Sequence, residues 1–178
     1  AAAIKDSCIR VLDTAAGDAL QYSTTEGYLP LREYISPRHR KKGIEVKPDE
    51  ILITNGSQQG LDLVSKILLN EGDRVIIERP GYLGAIQAFS VYRSRFETVE
   101  LESDGPAIAD VEKASKTGAK LFYSVPNFQN PSGISWSEEK RKAVANVLAG
   151  SDILLVEDDP YGDLRFAGEE KKSMKHYL

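Results

Sequence analysis

From Glu50 onward the chain alternates short apolar runs with longer amphipathic ones, and this rhythm constrains the fold more than any other feature. EILIT (50–54), DRVIIE (73–78), SRFETVEL (94–101), AKLFYSV (119–125) and DILLVE (152–157) read as strands. Between the first two, SQQGLDLVSKILLN (57–70) has apolar residues at 61, 63, 64, 67 and 68, the face of a helix. YLGAIQAFSVY (82–92), AIADVEKASKT (107–117, stopping at Gly118) and SEEKRKAVANVLAG (137–150) are helical too. Ser137 is placed to cap the last of these, with Lys140 in a weak capping-box position. Such alternation predicts an α/β domain of three layers, α/β/α, with a mostly parallel sheet covered on both faces.

The segment before Glu50 has another character. Residues 5–16 read as helix, and QYSTTEGYLPLREYISPRHRKK (21–42) as a polar turn followed by a helix from about Pro30, with Gly27 breaking the pattern between them. The 178 residues suit one domain, and 41% apolar content is enough to bury a core. We divide the chain into an N-terminal helical segment with a loop (1–45) and an α/β core (46–178).

A net charge of −4 leaves no electrostatic footprint for nucleic acid and no polybasic membrane patch. The longest basic stretch, Arg38 to Lys42, falls where a helix should end, a position that favours cations. One cysteine, Cys8, rules out an intrachain disulfide framework and fits a reducing cytoplasm. No run approaches a membrane span and no signal-peptide pattern opens the chain. The start at Ala1 without methionine and the charged end EEKKSMKHYL suggest a piece of something longer.

In an α/β sheet, ligands sit beyond the carboxyl ends of the strands. Those ends carry TNGSQQG (54–60), ERPGYLG (78–84), SVPNFQNPSG (124–133) and EDDPYGD (157–163), all rich in Gly, Pro, Asn, Asp or Tyr. Gly56 before a helix opening at Ser57 makes an anion seat, because the first N–H groups of a helix are unpaired and its dipole is positive there. It is neither G-x-G-x-x-G nor a P-loop. Tyr82, at a helix start, offers a ring to stack on a flat ligand. Asn130 precedes Pro131 in a tight loop, a candidate cis bond that would aim its amide at a ligand. Each of these taken alone reads more readily as a capped helix, a packed tyrosine or a plain turn.

The acids Glu157, Asp158 and Asp159 admit three readings. A nucleotidase metal strand would need a Walker A sequence, which the chain lacks. A histidine-containing metal cluster is disfavoured, since His39 and His176 are both far in sequence, though oxygen-only magnesium binding stays open. Pairing with a cationic ring nitrogen is the third.

Taken together and in order, QYSTTEGYLPLR, ITNGSQQGLDL, ERPGYLGAIQAF, PNFQNPSG and VEDDPYGDLRF resemble the fold-type I pyridoxal-phosphate enzymes. The nearest group is the class I/II aminotransferases, in the branch of 2-aminoadipate and kynurenine aminotransferases and the MocR-type regulators. The resemblance runs over nearly the whole chain. It implies that Gly56, Ser57 and Gln58 cradle the phosphate of pyridoxal 5′-phosphate and that Tyr82 stacks on its ring. It implies that Asn130 and Tyr161 donate to the phenolic oxygen and that Asp158 pairs with the pyridine nitrogen. Tyr22 matches a tyrosine that reaches the phosphate of the neighbouring subunit, which implies a homodimer, and residues 26–29 would line the substrate side. Strand alternation favours Asp158 over its neighbours, since Glu157 and Asp159 would point the other way.

The implied reaction moves an amino group between an amino acid and a 2-oxo acid, within amino acid metabolism. Its Schiff-base lysine is expected beyond Leu178, with a phosphate-binding arginine and a small domain; Lys171, Lys172 and Lys175 read as surface residues. No catalytic residue is therefore assigned in this chain, no metal is expected, and the piece alone should not transaminate. The effector domain of a MocR-type transcription regulator is the alternative, and a fold-type I lyase or decarboxylase ranks below both. The placement predicts a cis Asn130–Pro131 bond and Asp158 across one crevice from Gly56.

Overall fold

The computed structural model describes residues 1–178. In chain order the elements are α1 (Ala2–Ala19), α2 (Leu29–Lys41), α3 (Ser57–Leu68), β1 (Arg74–Arg79), α4 (Leu83–Ser90), β2 (Arg95–Glu102), β3 (Gly105–Pro106), α5 (Ile108–Ser115), β4 (Leu121–Ser124), α6 (Glu138–Leu148) and β5 (Leu154–Glu157). The strands form one sheet in the order β3-β2-β1-β4-β5. All neighbours are parallel except β2 and the short β3. The expected mostly parallel sheet is therefore present. β2 and β4 flank β1 on opposite sides, so the strand order reverses between β1 and β4, and a crevice opens beyond their carboxyl ends.

Two apolar layers cover the sheet, and the period of two in each strand sorts residues between them. Val75, Ile77, Leu121, Tyr123 and Val125 pack with Leu61, Ala85 and Phe89 beneath α3 and α4. Ile76 and Phe122, one step out of phase, pack with Val111, Val144 and Trp136 beneath α5 and α6. Ile76 and Phe122 are fully buried, and each such side chain contributes roughly 1.5–3 kcal/mol over leaving it in water. The cap expected on α6 is formed: the Lys140 N–H donates to Ser137 Oγ at 3.1 Å.

Residues 50–54 are not a strand. Ile51 is extended (φ −110°, ψ 125°) after a 3-10 turn at Pro48–Glu50. An extended segment becomes a strand only beside a partner, and here its one backbone bond of that kind runs from Ile53 N–H to Glu26 O at 3.0 Å. That bond instead docks the loop around Gly27. Gly27 sits at φ +95°, and a Cβ there would lie 2.6 Å from Ile53 Cβ, so only glycine lets the two segments meet. Buried Arg32 completes the joint, donating from Nε to Gly27 O at 3.1 Å and from NH1 to Pro48 O at 2.9 Å.

Helix α1 is longer than the expected 5–16 and bends at Ala15 (φ −147°, ψ 29°); none of its residues is buried. No helix is long and apolar enough to cross a membrane.

Candidate functional site

A cavity of about 130 Å³ lies at the carboxyl ends of the central strands, and Ser57, Tyr82, Asn130, Asp158 and Tyr161 all line it. Val125 and fully buried Tyr123 line it as well. Four loops far apart in sequence therefore meet at one crevice, on the α3/α4 side of the sheet.

Ser57 is the first residue of α3, and Gly56 before it has φ +83° with open space where a Cβ would stand. The helix start thus faces the crevice without a side chain in the way, as an anion seat requires. Gly56 and Gln58 flank the cavity without lining it; Gln58 Nε2 turns aside to donate to Gly84 O at 3.1 Å. Tyr82 directly precedes α4 in an extended conformation (φ −69°, ψ 121°). Its ring folds back over Gly84, where a Cβ would come within 2.7 Å of the ring carbons and 2.8 Å of Gln58 Oε1.

The Asn130–Pro131 bond is cis, as expected; Arg79–Pro80 is cis too, which the sequence did not suggest. Buried Gln129 joins these loops: its Nε2 donates to Pro80 O at 2.7 Å, and its Oε1 accepts from Ser132 N–H at 2.8 Å.

The three acids part as strand alternation requires. Asp158 lies on the crevice side, and its Oδ2 accepts from the Tyr123 hydroxyl at 2.7 Å. Glu157 faces α6, where it accepts from Ser173 Oγ and, at 3.0 Å, from Met174 N–H, with Arg141 3.8 Å away. Burial raises the Glu157 pKa against these partners. Asp159 accepts from Asn127 Nδ2 and from Gly162 N–H, both at 2.9 Å. Tyr161 precedes the 3-10 turn at Gly162–Leu164 that these bonds support. Tyr22 stands apart from the crevice with its side chain in solvent. Lys172 and Lys175 are exposed, on the Glu157 side of the sheet and away from the crevice.

Sequence reasoning missed Tyr123 and Glu78. Tyr123 sits inside a strand whose residues are all buried, and a buried phenol needs a partner for its hydroxyl; that requirement was a usable signal. Burial, and then Asp158, raise the Tyr123 pKa far above the ordinary phenol. Glu78, 2% exposed at the end of β1, accepts from Val125 N–H at 3.1 Å and Trp136 Nε1 at 2.9 Å. Burial pushes its carboxyl up to about 7.

The crevice thus combines an anion seat, an aromatic wall, an amide and a phenol, and one carboxylate with a free oxygen. That set suits a flat ring bearing an anionic arm and a basic nitrogen.

Residues 2–176 match the family model described as aminotransferase class I and II. The 2-aminoadipate transaminase of Thermus thermophilus is 42% identical over 162 residues, covering 90% of this chain and 40% of the relative. The crystal structure of a Pyrococcus horikoshii kynurenine aminotransferase, solved in complex with PMP, superposes with a TM-score of 0.89 at 39% identity, over 97% of this chain and 44% of that one. A Bacillus subtilis protein named as the uncharacterized HTH-type transcriptional regulator YisV is 34% identical, over 89% of this chain and 34% of its own length. The chain spans less than half the length of these relatives.

Proposed function

Because the chain belongs to the class I and II aminotransferase family, we propose that it is part of a pyridoxal-phosphate-dependent aminotransferase acting between an amino acid and a 2-oxo acid. The observation that carries this reading is the convergence of Ser57, Tyr82, Asn130, Asp158 and Tyr161 on one crevice. Pyridoxal 5′-phosphate, when bound, supplies an electron sink for charge released at the amino acid α-carbon.

The residues fit that group on their own chemistry. The open start of α3 at Gly56 and Ser57 receives the phosphate, with Gln58 holding the helix start against Gly84. Tyr82 covers one face of the ring, and the Asn130 amide and Tyr161 hydroxyl are free to donate to a ring oxygen. The free oxygen of Asp158 holds the proton on the ring nitrogen, because a carboxylate beside a cation favours the charged form.

In this reading residues 46–178 belong to the cofactor-binding large domain and residues 1–45 to a segment on the dimer side. Exposed Ile4, Ile9 and Leu12 on α1, with Tyr22 beyond it, support a homodimer in which this segment covers a second subunit. The single free cysteine suits a cytoplasmic protein.

The test is an amino-donor panel with 2-oxoglutarate on the full-length protein. Transfer lost on Asp158→Ala supports the reading; a protein that binds no pyridoxal phosphate sinks it. A second reading, the effector domain of a MocR-type regulator, is favoured by the regulator relative. A basic helix-turn-helix encoded upstream of Ala1 would select it.

A further inference from the structure

We propose that Tyr123 is a positioning residue of the crevice: its hydroxyl engages Asp158 Oδ2, turns Oδ1 toward the ligand, and keeps the shared proton on the ligand's ring nitrogen. The proposal rests on the cofactor reading above and adds a residue and a role to it.

Tyr123 is held on every side. It pairs in register with Ile77 of β1 and Val156 of β5, is fully buried, and meets Phe89 edge-on at 5.8 Å between centroids. A ring fixed in this way has one place for its hydroxyl, and that place is Asp158 Oδ2 at 2.7 Å. Asp158 is anchored from the other side by its own N–H, which donates to Ser124 O at 2.9 Å and continues the β4–β5 ladder. With backbone and Oδ2 both fixed, the carboxylate cannot rotate, and Oδ1 accepts no hydrogen bond from the protein.

The electronic consequence follows from the direction of the bond. A donor to a carboxylate stabilises its charged form and lowers its affinity for a proton. No Lys, Arg or His of this chain lines the crevice. The ionisable groups facing Tyr123 and Asp158 are Glu78 from β1, Tyr82 ahead of α4 and Tyr161 in the loop after β5, and none is a cation. Tyr123 is therefore the one side chain of the chain that donates a hydrogen bond to the Asp158 carboxylate. Between a carboxylate and a pyridine nitrogen, such a donor favours the proton on the nitrogen, where an electron sink requires it.

The experiment loads the full-length protein with pyridoxal phosphate carrying ¹⁵N in the ring and compares wild type with Tyr123→Phe. Phenylalanine keeps the ring in the core and deletes only the hydroxyl. The nitrogen resonance is expected in the pyridinium range for wild type and displaced toward neutral pyridine in the variant. Cofactor affinity should fall about fivefold, and kcat should fall more than KM rises. A variant resonance identical to wild type overturns the role of Tyr123 and leaves the cofactor reading standing. A wild type that binds no pyridoxal phosphate overturns that reading, and the proposal with it. Should Tyr123→Phe fail to fold, 3-fluorotyrosine at position 123 makes a stronger donor of nearly the same shape. It should move the resonance further toward pyridinium, and no movement overturns the proposal equally.

Discussion

Asn127 Nδ2 donates to Asp159 Oδ1 at 2.9 Å, and this bond joins the loop that carries Asn130 to the loop that carries Tyr161. Beneath it lies the guanidinium of Arg141, fully buried, which donates from NH2 to Asn127 Oδ1 and to Pro126 O, each at 2.8 Å. On the far side, Asp159 Oδ1 also receives the Gly162 N–H. One relay, Arg141 to Asn127 to Asp159 to Gly162, thus sets the distance between two groups proposed to grip the same ring.

Asn127→Ala tests that relay. It leaves a buried Arg141 donor without its acceptor and frees the Asp159 loop. An unsatisfied donor of this kind costs about 1–3 kcal/mol. Urea unfolding should show a loss in that range, and a cofactor titration should show weaker binding. Unchanged stability would mean that Arg141 finds its full complement of acceptors without Asn127.

Gly84→Ala separates affinity from stability. The new Cβ would stand 2.7 Å from the Tyr82 ring and 2.8 Å from Gln58 Oε1, so the ring and the amide must both move. Alanine also favours helix α4 over glycine by about 1 kcal/mol, which offsets much of the crowding. The expected result is a nearly unchanged melting temperature with cofactor affinity about tenfold weaker, roughly 1.4 kcal/mol. A variant that binds as tightly as wild type would show that Tyr82 does not need its present position.

Gly27→Ala should act on the substrate side. The backbone is at φ +95° and the Cβ would meet Ile53 Cβ at 2.6 Å, so both strain and crowding oppose it. Together they should cost about 2–3 kcal/mol, released by lifting the 22–29 loop from Ile53. In the full-length enzyme the KM for the amino donor should rise by more than the affinity for pyridoxal phosphate falls. Equal changes in both would place the loop against the cofactor instead.

What the sequence disclosed and what it withheld follow from the range of the forces involved. Strand and helix periods are local, so Arg74–Arg79 and Ser57–Leu68 were legible within a residue or two. The convergence of Asn130 and Asp158 was legible because a parallel sheet brings its strand ends to one edge, whereas Ser57 joins them from the start of α3 after a segment that is not a strand. EILIT was misread because its apolar pattern is local but a strand depends on a neighbour elsewhere in the chain. Tyr123 and Arg141 were passed over for the same reason. A tyrosine in an apolar run and an arginine in a charged helix reveal their roles only once Asp158 and Asn127 are placed beside them.

Glu78 gives the chain a pH dependence of definite sign. Its carboxyl is pushed up to about 7 by burial, while an unfolded glutamate titrates near 4.3. Between those values the folded state holds a proton that the unfolded state has released, so stability falls as pH rises through this window and levels off above it. The full swing is about 4 kcal/mol. Glu78→Gln removes the titration. It also sets an amide N–H against one of two donors, Val125 N–H or Trp136 Nε1, which costs about 1–3 kcal/mol at every pH. The variant should therefore be the less stable protein at pH 5 and should draw level with wild type, or pass it, by pH 8. Urea unfolding of both proteins at the two pH values measures the difference, and groups that titrate equally in each cancel. A gap that stays constant from pH 5 to pH 8 would mean that Glu78 is ionised across the whole range, held so by its two N–H donors.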